Sequence, residues 1–220
     1  MKIKGLIFDM DGLLIDTERL SFDALVRDCK ERGYTLTLEQ FLGIRSLSIP
    51  KCEEKFKGYF GEDFDFKDSF DKHFVYMREH MDKYGVPMKK GADNILEFAK
   101  EKGLRIALAT STPLPIAESQ LTSLGLWKYF DKVQSAADIK NGKPAPDVYL
   151  AAASLLGLDA SQCMAFEDSP NGVRSASSAG CITVMVPDLS GPDEELSKLI
   201  YASVEDLDEA IELINKYEEC

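Results

Sequence analysis

The feature that most constrains this chain is an apolar segment, Ile3 to Phe8, that stops abruptly at Asp9-Met10-Asp11-Gly12. Its β-branched and aromatic content is that of a short buried strand. In extended backbone, residues i and i+2 point to the same side, so Asp9 and Asp11 are expected to converge just past the strand end. Gly12 lets the chain turn away with no Cβ in the crowd. Two converging carboxylates repel each other, and a divalent cation with oxygen ligands is the natural counter-charge, Mg²⁺ first. The plainer alternative is a pair of solvated loop acids capping the next helix. An EF-hand does not fit, because Leu13 and Leu14 stand where that loop needs an oxygen ligand and a glycine.

Composition narrows the partners. The 220 residues carry 26 Lys+Arg against 38 Asp+Glu, a net charge of −12. That balance argues against nucleic acid and against an anionic membrane surface. Any phosphate this chain binds must meet a compact local positive site. No apolar run reaches transmembrane length, and the N-terminus enters the first strand without a signal-peptide layout. The five cysteines (Cys29, Cys52, Cys163, Cys181, Cys220) are scattered, with no C-x-x-C. Reduced thiols in a cytoplasmic protein are the simplest account, and a monomer is the default expectation.

Taken in order, residues 17–32 predict a helix that ends before Gly33. Helical pieces follow over 38–42, 49–59 and 66–84, with no strand among them. In the last, Phe66, Phe70, Phe74, Met77 and Met81 form one apolar face, expected to be bundle core, and His73 and His80 read as structural. The character changes at Gly85-Val86-Pro87. Beyond it, helices over 91–102, 114–124, 146–156, 171–179 and 204–216 alternate with strands over 104–109, 132–135, 163–166 and 181–186. This alternation predicts a parallel α/β sheet. The chain therefore reads as an α/β core from residues 1–15 and 85–220, interrupted by a helical insertion over 16–84.

Open α/β sheets place ligands at the carboxyl ends of their strands. The first strand ends in Asp9 and Asp11, the second in Thr110-Ser111-Thr112, whose hydroxyls and N–H groups make an anion site. After the third comes Asn141-Gly142-Lys143-Pro144, and the fourth ends in Glu167-Asp168. Each has a plain reading as a helix cap or surface charge, but together they form one kit. Asp9, the carbonyl or carboxylate of Asp11, and Asp168 can hold Mg²⁺. The metal, Thr110 and Lys143 can then clamp a phosphoryl group. Asp9 is placed to attack phosphorus, and Asp11 to protonate the leaving alkoxide and later activate water.

Asp-Met-Asp-Gly at 9–12, Ala-Thr-Ser-Thr at 109–112, Gly-Lys-Pro-Ala-Pro-Asp at 142–147 and Phe-Glu-Asp-Ser at 166–169 resemble the four motifs of the haloacid dehalogenase superfamily. They are most similar to its β-phosphoglucomutase-like phosphatase branch. The resemblance implies a Rossmann-like core with a helical cap inserted after the first motif. It also implies Asp9 as nucleophile, Asp11 as acid/base, Thr110 and Lys143 as phosphate ligands, and Mg²⁺ on Asp9, Asp11 and Asp168 with Glu167 beside it. The implied activity is cytoplasmic hydrolysis of a small phosphorylated metabolite such as a sugar phosphate. The mutase of this branch has a histidine four residues after the position of Thr17, where this chain has Ser21, so hydrolysis is expected over isomerisation. A receiver domain that only stores an aspartyl phosphate fits less well, given the helical insertion. Thr17, Ser21 and Arg45 are the candidate specificity residues, and hinges are expected near 14–16 and 84–87.

Overall fold

Strand β1 (Gly5–Phe8) is buried at all four residues, and the sheet is assembled outward from it. In chain order there follow α1 (Thr17–Glu31), α2 (Leu38–Leu42), α3 (Ile49–Phe60), α4 (Phe66–Tyr84), α5 (Ala92–Glu101), β2 (Arg105–Thr110) and α6 (Leu114–Ser123). Then come β3 (Lys132–Ser135), α7 (Asp147–Leu155), β4 (Cys163–Glu167), α8 (Pro170–Ser178), β5 (Ile182–Met185), β6 (Ala202–Ser203) and α9 (Leu207–Glu219). This computed structural model describes residues 2–45 and 49–219, so Cys220 lies outside the described residues. The chain divides into two compact units, Met1–Asp16 with Met88–Cys220, and Thr17–Pro87. Residue 16 thus groups with the α/β unit, and residues 85–87, which the sequence reading gave to that unit, group with the helical one.

The α/β unit is a Rossmann-like parallel sheet. Its strand order is β3-β2-β1-β4-β5-β6, and every neighbouring pair is parallel. The chain builds β1, β2 and β3 to one side and then returns to lay β4, β5 and β6 on the other. The order therefore reverses between β1 and β4, where sheets of this kind open a crevice for ligands. Strands buried on both faces read as continuous apolar runs, and β2 and β4 do so. On one face α7 packs Val148, Tyr149, Ala152 and Ala153 into a cluster with Ile7, Ala107 and Ala165. The two-residue β6 carries no alternation that sequence could show, and it is absent from the expected strands.

The helical unit is held by α1 against α4 and by an aromatic cluster. The Phe56 ring lies 5.7, 5.4 and 5.3 Å from those of Phe60, Phe64 and Phe66. The expected apolar face of α4 needs correction. Its buried residues are Phe66, Ser69 and His73, while Phe74 is 48% exposed. The stripe drifts because 3.6 residues per turn set position 73, not 74, directly over 66. The face turned toward α1 is accordingly part polar, and His73 Nε2 lies 2.8 Å from Ser21 Oγ.

Burial lowers the His73 imidazole to about 4, against a smaller upward pull from Asp28. The folded protein therefore keeps this ring neutral while the unfolded chain protonates it below about 6.5. Stability is expected to fall as pH drops from about 6.5 to about 4, with no further loss from this group below that. The gap between these two values sets an upper bound of about 3.5 kcal/mol. Urea unfolding at pH 7.5, 6 and 5 should show this slope flattened in His73→Phe; equal slopes in the two proteins would remove His73 as the cause.

Candidate active site

Strand register decides which side chains meet. Phe8 pairs with Leu108 on β2 and with Phe166 on β4, and the Phe8 and Phe166 rings stack at 5.1 Å. One step further, the Asp9 N–H donates to the Phe166 carbonyl at 3.1 Å, so Asp9 and Glu167 emerge side by side. Asp9, Glu167 and Asp168 are all buried, and each offers a carboxylate oxygen within 4.8 Å of the others.

Lys143 ties this acidic group together. Its Nζ donates to Asp9 Oδ1 and to Glu167 Oε1, both at 2.6 Å, which leaves one of its three N–H bonds for another acceptor. The loop that delivers it is anchored from α8, where buried Ser175 donates from Oγ to the Ala145 carbonyl at 2.5 Å. Glu167 is clasped further by Tyr149, whose hydroxyl donates to Oε1 at 2.6 Å, and by Ser169 Oγ on Oε2 at 3.3 Å. Burial and the neighbouring Glu167 hold the Tyr149 phenol well above its usual range, so it remains a donor. At Gly172 a Cβ would fall 1.9 Å from the carboxyl carbon of Glu167, so only glycine leaves room for that carboxylate.

Asp11 is close enough to act on Asp9 but makes its own contact. Its Oδ2 accepts from Thr112 Oγ1 at 2.6 Å, and its carboxylate is not among the three clustered acids, which leaves the carbonyl of the two Asp11 oxygens that the sequence reading offered. Past Met10 the chain turns: the Met10 carbonyl accepts from the Leu14 and Ile15 N–H groups, and Gly12 has φ +81°.

Thr110 is fully buried at the end of β2, and its Oγ1 accepts from the Thr112 N–H at 3.0 Å. That leaves the Thr110 hydroxyl proton to donate elsewhere. Ser111 is exposed. Thr17 and Arg45 belong to the helical unit, where Thr17 opens α1 and Arg45 Nε lies 3.1 Å from Glu18 Oε2. With its side chain 11% exposed, Arg45 is an enclosed ion-pair partner and not a solvated helix-end charge.

The charge balance asks for a cation. Burial pushes Asp9 up to about 7; Glu167 and Asp11 push it the same way, and only Lys143 opposes them. Burial also works against the charge on Lys143, but Asp9 and Glu167 outweigh it and hold its pKa above the usual lysine range. A set of hard carboxylate oxygens with too little positive charge fits Mg²⁺. Sequence reasoning did not find Tyr149, Ser175 or Gly172 as parts of the site. Tyr149 left a trace, a hydroxyl on an otherwise apolar helix face, which must find a partner when buried.

Residues 6–186 match the haloacid dehalogenase-like hydrolase family. The chain is 36% identical over 181 residues to the phosphorylated carbohydrates phosphatase of Thermotoga maritima, covering 81% of this chain and 82% of that protein. It is 30% identical over 190 residues to hexitol phosphatase B of Escherichia coli K12, with 84% of each covered. Its fold is that of the β-phosphoglucomutase of Clostridium difficile, at a TM-score of 0.74 and 21% identity over 99% of this chain and 100% of that one.

Proposed function

The chain belongs to the haloacid dehalogenase-like hydrolase family and is a phosphoric monoester hydrolase, and we propose that it is a Mg²⁺-dependent phosphatase acting on a small phosphorylated metabolite through an aspartyl phosphate on Asp9. Phosphorylated sugars are the first class to test, because the relatives named above act on such compounds. The observation that carries the reading is the buried Asp9–Lys143–Glu167 contact beside Asp168, at the reversal point of the sheet.

Asp9, Asp168 and Glu167 would hold Mg²⁺, with the Asp11 carbonyl as a further oxygen. When bound, the metal supplies charge neutralisation for the phosphoryl group. Lys143 fixes Asp9 through Oδ1 and offers its third N–H to a phosphate oxygen, as the Thr110 hydroxyl does. The Asp9 carboxylate forms the new P–O bond while the ester P–O bond breaks, and Asp11 gives its proton to the departing alkoxide. Water then attacks the phosphoryl group, Asp11 takes a proton from it, and inorganic phosphate and free Asp9 are released. Thr112 holds the Asp11 carboxyl in place for both transfers. The helical unit is proposed as a cap that excludes bulk water, in a monomeric cytoplasmic enzyme. Among the described residues no helix is long and apolar enough to cross a membrane. The isomerase alternative is not favoured, since the relatives named above at 30% identity or more are phosphatases and position 21 is a serine already bonded to His73.

A panel of sugar phosphates, nucleotides and short phospho-acids, assayed for phosphate release with Mg²⁺, tests the proposal. At least one sugar phosphate should turn over. Chelation by EDTA should lower that rate by at least about 100-fold, and added Mg²⁺ should restore it. Release from no member of the panel, or a rate indifferent to EDTA, would overturn it.

A further inference from the structure

The turn that follows β2 carries two hydroxyls that the proposed reaction relies on, and it is fastened from a different strand. Thr110 Oγ1 accepts from the Thr112 N–H at 3.0 Å, and Thr112 Oγ1 donates to Asp11 Oδ2 at 2.6 Å. Both contacts depend on where the Thr112 backbone lies. Residues 111–113 belong to neither β2 nor α6, so the sheet ladder does not hold them. Among the described residues no backbone N–H bonds the Thr112 carbonyl. A side chain does: Ser135, the last residue of β3, donates from Oγ to that carbonyl at 3.0 Å. Its height is set by strand register, since β3 pairs in parallel with β2 and Ser135 lies opposite Thr110. Ser135 is 2% exposed, so water competes little for the bond.

We infer that Ser135 is a positioning residue for the acid/base step: through the Thr112 carbonyl it fixes the turn whose hydroxyl holds the Asp11 carboxyl for proton transfer. This rests on the role proposed above for Asp11. Ser135 touches neither the phosphoryl group nor the acidic cluster in this scheme, and acts only through Thr112. A buried serine that merely satisfied its own hydroxyl would, when replaced, slow every ester alike. A serine that holds the proton donor discriminates among them. An ester whose leaving group departs as a stable anion needs no proton in the transition state, whereas an alkoxide does. The loss on removing Ser135 is therefore read from how it varies with the leaving group, and not from its size alone.

The test uses p-nitrophenyl, phenyl and benzyl phosphate, three esters of similar size with increasingly basic leaving groups, and the full chain with Mg²⁺. In Ser135→Ala, kcat/KM should fall at least about fivefold more for benzyl than for p-nitrophenyl phosphate, a fraction of the 10²–10⁴-fold or so that a positioned general acid supplies. Thr112→Val, which takes the hydroxyl from Asp11 directly, should steepen the series in the same direction. Ser135→Thr keeps the hydroxyl and should return the ratio to within about twofold of native. Amide hydrogen exchange without substrate gives a reading that needs no turnover. The Thr112 N–H should exchange at least about fivefold faster in Ser135→Ala, while the Ala107 and Leu108 amides inside β2 keep their native rates. If Ser135→Ala does not fold, Ser135→Cys, with its weaker donor, takes its place. Failure of the native protein on every ester counts against the phosphatase proposal, and Thr112 exchange then decides the role of Ser135 alone. Equal losses across the three esters, no loss at all, or native Thr112 exchange in the folded variant would overturn it.

Discussion

Asp9→Asn keeps the fold and loses at least about 10³-fold in kcat toward any phosphate ester the native protein turns over. The amide is close in size to the carboxylate, so the backbone bond to the Phe166 carbonyl and the packing of β1 are left alone. What disappears is the anion proposed to attack phosphorus. Lys143 keeps Glu167 at 2.6 Å and does not become an unpaired buried charge. Burial, Glu167 and Asp11 all disfavour the Asp9 anion, so the neutral side chain relieves repulsion in the metal-free protein. Its melting temperature should therefore equal or exceed the native value. Calorimetry beside initial rates checks both halves, and turnover within tenfold of native would take Asp9 out of the reaction.

Gly172→Ala should be nearly as damaging, for a purely steric reason. The new Cβ would fall 1.9 Å from Cδ and Oε2 of Glu167 and 2.0 Å from its Oε1. Helix propensity alone favours alanine in α8 by up to about 1 kcal/mol. The collision reverses that, because Glu167 is held by Lys143, Tyr149 and Ser169 and cannot swing away freely. Whichever group yields, the bond from Lys143 to Asp9 is strained or lost. A drop in kcat of at least about 100-fold and a stability loss of about 1–3 kcal/mol are expected. Gly58→Ala is the control: it sits in α3 with nothing within 4 Å of its built Cβ, and should be neutral or slightly stabilising. Native activity and stability in Gly172→Ala would show that Glu167 is far less constrained than its contacts indicate.

The parts of this molecule legible in its sequence are those with a strong local signal. Apolar runs flanked by glycine gave the long strands and helices, and polar residues just beyond the strands marked the rim where Asp9, Lys143, Glu167 and Asp168 gather. β6 was too short to carry a pattern, and α4 buries His73 where composition favoured Phe74. The contact of the Asp11 carboxylate with Thr112, 101 positions away, could not be read from the Asp-x-Asp spacing. Gly172 and Tyr149 matter only through Glu167, five and eighteen positions away in the chain. A pairing of that kind exists only once α7 and α8 are laid against β4.

The pairing of β1 with β4 has one more effect. The stacked Phe8 and Phe166 rings act as a gauge block: while they stay level, the acids one position beyond them are level too. A shift of one residue along either strand would invert which face each side chain presents, turning Asp9 away from Glu167 without altering a single ionisable group. Reaction geometry in this enzyme is thus stored in hydrocarbon, and a poorly chosen substitution at Phe8 or Phe166 can silence it while every acid and base survives.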